Sequence, residues 1–216
     1  MKHAKHVIYI FPLFLLLFLI VIWGIKAYYG MIPYIDQWTN GYVENLGGTT
    51  FYTFFRWLTE LGSGTFLVPF VIVISVLVWG MHRDWFSGLM VIIGAFFCYL
   101  LNSAIKLIVA RDRPEILPVV DAEGYSFPSG HSMLSVVCYG MFLYFVVRKL
   151  RTVMTRILWQ IGITVLVLGI GISRYVIHVH YLTDVLAGLG MGFFFLTLWI
   201  SIYKFIQKCR KAKTPS

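Results

Sequence analysis

The chain has 216 residues, 59% of them hydrophobic and only 12% charged, and its mean hydropathy is +0.81. A water-soluble domain carries roughly 25% charged residues, so most of this chain does not face water, which excludes a cytosolic enzyme and a disordered tail. The net charge of +9 would suit nucleic acid, but the basic residues gather between apolar runs and not along one solvated face. A bilayer orientation signal explains them, and no nucleic-acid partner is expected.

A helical crossing of the hydrocarbon core takes about 20 apolar residues. The first such run covers 7–25. It is long for the apolar part of a signal peptide and no A-x-A-like cleavage site follows it, so a retained first helix is expected. Residues 30–60 form a long loop with the turn residues Pro33, Asn40, Gly41, Gly47 and Gly48 among Trp38, Tyr42, Phe51, Tyr52, Phe54, Phe55 and Trp57. Aromatics of this kind favour the headgroup layer and predict an interfacial helical segment, either as a belt that fixes depth or as one wall of a lipid access site.

Further apolar runs follow at 61–81, 85–105, 132–147, 157–173 and 185–203, the fourth and fifth crossings being short. The expectation is an all-α polytopic membrane protein of six transmembrane helices, folded as one membrane-embedded domain over 1–216. Its chemistry-bearing core is 106–184, and a basic tail covers 204–216, frayed from 208 onward. Cys98, Cys138 and Cys209 are scattered and give neither a disulfide framework nor paired metal-ligand spacing.

Twelve of the 18 basic residues, including Lys2, Lys5, Arg83, Arg148, Lys149, Lys204 and Lys208, fall on one side of this layout. The other side holds Lys26, Arg56, Lys106, Arg111, Arg113 and Arg174 with eight of the nine acidic residues. The first side, with both termini, should therefore be cytoplasmic in a plasma membrane.

Charges near spans are costly and need a reason. Three segments carry them, all on the outer side. In the first, Lys106 and Arg113 are seven residues apart, two helical turns, and would share a face if the helix reached Pro114, which stops it; a snorkelling pair has the same look. In the second, Pro128-Ser129-Gly130-His131 precedes the fourth run. Ser129 suits a helix start, Gly130 lets backbone N–H groups approach an anion, and His131 can exchange a proton near neutral pH; a plain polar cap is the alternative. In the third, running from Ser173 and Arg174 to Asp184, His180 and Asp184 are four apart, so the carboxylate can orient the imidazole as a nucleophile or base. A zinc site from His178, His180 and Asp184 is the competing reading.

Helix parity puts the three segments on one membrane face. Lys106, Arg113 and Arg174 can then converge with two histidines, a set suited to a tetrahedral phosphate. In Lys106-x6-Arg113-Pro114, Pro128-Ser129-Gly130-His131 and Ser173-Arg174-x5-His180-x3-Asp184 the chain resembles the type 2 phosphatidic acid phosphatases, membrane relatives of vanadium-dependent haloperoxidases and some soluble acid phosphatases. The resemblance implies a phosphatase that uses no metal or other cofactor. In it His180 attacks phosphorus, Asp184 holds His180, and His131 protonates the leaving oxygen. Lys106, Arg113, Arg174, Ser129 and the Gly130 N–H would bind the phosphoryl oxygens. It leaves Arg111 and His178 without roles. Short bacterial members of the family suggest phosphatidylglycerophosphate as substrate, with undecaprenyl diphosphate close behind and phosphatidic acid also open. The rival from another class is a non-catalytic protein that binds or transports lipid phosphates. Nothing in the sequence fixes the oligomeric state.

Overall fold

A computed structural model describes residues 2–43, 46–114 and 124–213, with side chains described from 14 to 212. Among these residues every regular element is helical: α1 (Lys2–Tyr28), α2 (Tyr34–Asn40), α3 (Thr50–Glu60), α4 (Gly64–His82), α5 (Trp85–Val109), α6 (Gly130–Phe145), α7 (Val153–Val176) and α8 (Leu182–Lys213), with one 3-10 turn at Val147–Lys149. Helices α3 to α7 each start on a hydroxyl or carboxylate cap, from Thr49, Ser63, Asp84, Ser129 and Thr152, which accepts an otherwise orphaned N–H of the first turn. Helices α4 to α8 are long and apolar enough to cross a bilayer, and α1, apolar over Phe14–Tyr28, adds the sixth crossing. The expected loop helix is present as two, α2 and α3.

Helix α6 is the hub. Half of its span is buried, against a third or less in α4, α5, α7 and α8, and it supplies Met133, Val137, Cys138 and Met141 to the main apolar core. Against α8 it packs backbone to backbone. A Cβ at Gly188 would lie 2.5 Å from the Ser129 carbonyl oxygen, and one at Gly192 2.7 Å from that of Met133. Small residues four apart are what allow so close an approach inside a membrane. On another face of α8, Gly190 seats the Ile20 side chain of α1.

Three expectations need correction. Helix α5 does not run on to Arg113: it ends at Val109, and Ala110, at φ 48°, closes it left-handed with its N–H on the Lys106 carbonyl. That conformation costs roughly 1–2 kcal/mol in a residue with a side chain, and it turns Arg111 into the protein, where two carboxylates receive it. The fifth crossing is not short, because α7 holds Arg156 in its first turn and a buried Arg174 in its last; an uncharged run understates a helix whose charge is folded inward. The tail is not frayed over its described part, since α8 continues to Lys213. At 32 residues it is about 48 Å long, enough to carry its basic end beyond the hydrocarbon layer.

Candidate active site

The ends of α5 and α7, the starts of α6 and α8, and both loop helices meet at one membrane face. Contact through Gly188 brings the start of α6 to that of α8, and the Ser129 N–H donates to the Asp184 carbonyl at 3.0 Å. The Ser129 hydroxyl accepts from the Ser132 N–H at 3.4 Å and the Ser132 hydroxyl at 3.0 Å, so its cap role is filled. Gly130 follows, with the Asn102 Oδ1 only 3.0 Å from where a Cβ would stand. Half-buried His131 lies over Gly62, where an added Cβ would come within 3.3 Å of its ring.

His180 sits in the turn before α8 and is 2% exposed. Its Nδ1 is 3.6 Å from Asp184 Oδ2, and Ser126 mediates between them: its Oγ is 3.2 Å from Nδ1 and donates to Oδ2 at 2.5 Å. The hydroxyl proton of Ser126 is thereby committed to Asp184, so its oxygen accepts from Nδ1–H. On the other side of the ring, Arg113 Nη1 lies 3.3 Å from Nε2. A guanidinium can only donate, which makes Nε2 an acceptor whose lone pair is turned to the cationic side and engaged there by Arg113. Burial, reinforced by Arg174, Arg113 and Lys106, holds the His180 imidazole well below its usual range. The result is a neutral, oriented imidazole with one reactive nitrogen.

The cations do not share a helix face; they bracket a loop. Lys106 Nζ donates to the Tyr125 carbonyl at 2.5 Å, Arg113 Nε to that of Gly124 at 2.9 Å, and Arg113 Nη1 to that of Val179 at 2.8 Å. Arg174 is 7% exposed. Its Nη1 donates to Thr59 Oγ1 at 3.0 Å, while its buried Nε has no hydrogen-bond partner. A buried charged donor left unsatisfied is costly, and an anion on this side of His180 would relieve it. His131 lies within electrostatic reach of Arg174, His180, Lys106 and Arg113. Of the residues singled out in the sequence, the structure thus gathers His180, Asp184, His131, Lys106, Arg113 and Arg174 around one spot, with Ser129 and Gly130 at its edge. His178 is turned elsewhere, its Nε2 being 2.8 Å from Asn40 Oδ1, and among the described residues no group of three or more His, Cys, Asp or Glu is placed to hold a metal ion.

Several participants escaped sequence reasoning. Arg111 is buried and donates from Nη1 to Asp184 Oδ1 at 2.5 Å and from Nη2 to Asp36 Oδ2 at 2.8 Å. Asp36, on α2, also accepts from the Thr183 N–H at 2.9 Å and the Thr183 hydroxyl at 2.5 Å. A second carboxylate therefore stands behind the first, and the aromatic loop that carries it is part of the site's wall, as Thr59 of α3 is through Arg174. Ser126 lies two residues before the Pro-Ser-Gly-His run, where its position shows nothing of the bridge it makes.

A cationic pocket around an oriented histidine at one end of an all-helical bundle belongs to the class of membrane phosphatases. The chain is a member of the PAP2 superfamily, whose family profile matches residues 85–208. It is 33% identical over 156 residues to phosphatidylglycerophosphatase B of Bacillus subtilis, covering 71% of this chain and 74% of that protein. It is 26% identical over 196 residues to lipid phosphate phosphatase delta of Arabidopsis thaliana, covering 83% of this chain but only 44% of that one. The crystal structure of a transmembrane PAP2-type phosphatidylglycerolphosphate phosphatase from Bacillus subtilis superposes with a TM-score of 0.76 at 27% identity, over 90% of this chain and 96% of the other.

Proposed function

We propose that this protein removes the terminal phosphate of a membrane lipid, phosphatidylglycerophosphate being the leading candidate, through a phosphohistidine on His180 and without a metal ion. The observation that carries the reading is the His180 ring itself. Its Nδ1 is held by Ser126 and Asp184, and its Nε2 lone pair faces the side where Arg113, Arg174 and Lys106 converge.

With a phosphate seated among these cations, Nε2 attacks phosphorus and the bond from phosphorus to the lipid oxygen breaks. Positive charge gained by the imidazole is shared through Nδ1–H with Ser126 and Asp184. His131 gives its proton to the departing oxygen, and the negative charge of the bound phosphate favours the protonated form that this needs. Water then attacks the phosphohistidine, His131 takes up the water's proton, and inorganic phosphate leaves with Nε2 restored. Lys106, Arg113, Arg174 and the Gly130 N–H neutralise the equatorial oxygens, with Ser129 beside them; in phosphoryl transfer such charge stabilisation carries most of the catalysis.

A lipid substrate fits the surroundings. Trp38, Phe51, Phe54 and Trp57 are all more than half exposed on α2 and α3, an aromatic apron at headgroup depth beside the site. In this reading the whole chain is one phosphatase domain in a plasma membrane. Its termini face the cytoplasm with Arg83, Arg148, Lys149 and Lys204, and the site opens outward.

The test is phosphate release by the purified protein in chelator-containing detergent on phosphatidylglycerophosphate, undecaprenyl diphosphate and phosphatidic acid, with His180→Ala in parallel. We expect the first lipid to be preferred and His180→Ala to bind it without turnover. Unchanged release by His180→Ala would overturn the mechanism, and preference for undecaprenyl diphosphate would reassign the substrate.

A further inference from the structure

On the membrane face opposite the active site, a cavity of 820 Å³ lies between the α4–α5 turn and the last turns of α8, well inside the range of about 300–1,000 Å³ usual for ligand pockets. Its floor is a closed polar cluster. Asp84 accepts from the Ser87 hydroxyl at 2.8 Å, Gln207 Nε2 at 2.5 Å and Arg210 Nη1 at 3.1 Å, and the Tyr203 hydroxyl is 2.9 Å from that of Ser87. Burial alone would raise the Asp84 carboxyl, but these three hydrogen bonds together hold it below the usual carboxylate range. Among the described residues Asp84 is the one carboxylate in the lining, and it is spoken for. Lys204, Lys208 and Lys211 stand around the same cavity with His82. A smaller one of 310 Å³ shares His82 and Tyr203 and is edged by Arg148 and Lys149.

We propose that this cavity binds the headgroup of an anionic phospholipid from the leaflet opposite the active site. An orientation signal requires only basic residues on the correct side; it requires neither a concave surface nor a carboxylate neutralised in the floor. Here the cations surround a hollow whose own negative charge is already cancelled, the arrangement that selects a phosphate-bearing headgroup.

Its depth argues for a lipid over a free ion. Trp85, 60% exposed at the start of α5, marks the headgroup layer, and the Arg210 guanidinium lies 5.8 Å from its ring centre and 4.5 Å from that of Phe86. Phe205, 68% exposed and next to Lys204 in α8, offers apolar surface for acyl chains.

The experiment measures binding of short-chain phosphatidylglycerol, phosphatidylcholine and inorganic phosphate to the full-length protein in uncharged detergent. It compares the parent, Arg113→Ala, which weakens the hold of the catalytic pocket on a phosphate, and Lys204→Gln/Lys208→Gln and Lys204→Arg/Lys208→Arg, each made with and without Arg113→Ala. Phosphatidylglycerol should bind the parent and Arg113→Ala alike, lose affinity by about tenfold or more in the double glutamine variant, and keep it in the double arginine variant. Equal affinity for phosphatidylcholine, or phosphatidylglycerol binding that survives the double glutamine change, would overturn the proposal. Inorganic phosphate held as tightly as the lipid, and lost in the same variant, would also overturn it by showing a free-anion site. None of these outcomes depends on which lipid is hydrolysed at the other face.

Discussion

Replacing Asp36 with alanine reaches the nucleophile from three side chains away. Arg111 joins Asp36 to Asp184 through ion pairs of 2.8 and 2.5 Å, with 5% of its side chain exposed and none of either carboxylate. Without Asp36, one edge of the guanidinium and both the N–H and the hydroxyl of Thr183 lose their acceptor where water does not reach. Removing one partner of a buried pair costs about 3–5 kcal/mol. Asp184 still compensates Arg111, so the lower end of that range, about 3 kcal/mol, is expected. Asp36→Asn keeps an acceptor for Thr183 but loses the charge, and should cost about 1–3 kcal/mol.

The same change frees Arg111 to shift against Asp184 and, through Ser126, to turn the His180 ring. A displacement near 1 Å at a reacting centre lowers rates by about a hundredfold, so kcat should fall by about ten- to a hundredfold in Asp36→Ala. KM should stay near the parent value, because Asp36 touches none of the proposed phosphate ligands. The assays are unfolding in mixed SDS micelles and phosphate release measured well below the onset of unfolding. An unfolding midpoint equal to the parent's, or a raised KM with kcat preserved, would refute the network.

Other predictions follow from the same geometry. Because burial and three cations lower the His180 pKa, its neutral, attacking form should persist as pH falls, and the acid limb of kcat/KM should lie below pH 6.5, about the ordinary imidazole value. Arg113→Gln removes one of those cations and should move the limb upward; a limb that stays put in a pH–rate series would contradict the assignment. By the same linkage the unfolded chain binds a proton at His180 below about pH 6.5 that the folded chain refuses, so this site lowers stability as pH falls through that value. Arg174→Gln should cut kcat/KM by about 10²–10³-fold yet leave the unfolding midpoint unchanged or raised, since it removes a buried charge with an unpartnered Nε; a large loss of stability would count against an anion-binding role. Gly188→Ala, whose Cβ would meet the Ser129 carbonyl at 2.5 Å, should destabilise by about 1–3 kcal/mol and slow turnover, whereas Gly162→Ala, with nothing within 4 Å, should be neutral or stabilising in the same unfolding assay.

The parts of this protein legible in its sequence are those governed by short-range periodicity. Apolar runs gave the crossings, and where they misjudged the ends, as in α7, the cause was a charge turned inward that pattern reading treats as a boundary. The spacing of four pointed to the His180–Asp184 pair, although His180 stands in the turn before α8 and not on its face, and parity placed three segments on one face. Contacts between residues far apart in the chain follow no such period. Asp36 and Thr183 are separated by 147 positions, and nothing local to either records the other.

Charge conservation nevertheless offers a route that spacing does not. Arg111 lies directly between the end of an apolar run and a segment whose motif residues already account for phosphate binding, so an argument from motifs leaves it idle. A guanidinium beside a membrane-embedded site still needs compensation, and the outer side holds eight of the nine acidic residues that could supply it. Asp184 divides between the two, Oδ1 to Arg111 and Oδ2 to Ser126 and His180, which leaves the other edge of the guanidinium to be met by a second acid. Asp36, buried although Tyr34 and Trp38 beside it in the chain are exposed, is the acid that meets it. Its burial beside Arg111 makes the aromatic loop a working wall of the site, because the helix that holds Asp36 cannot move without disturbing the charge balance behind His180.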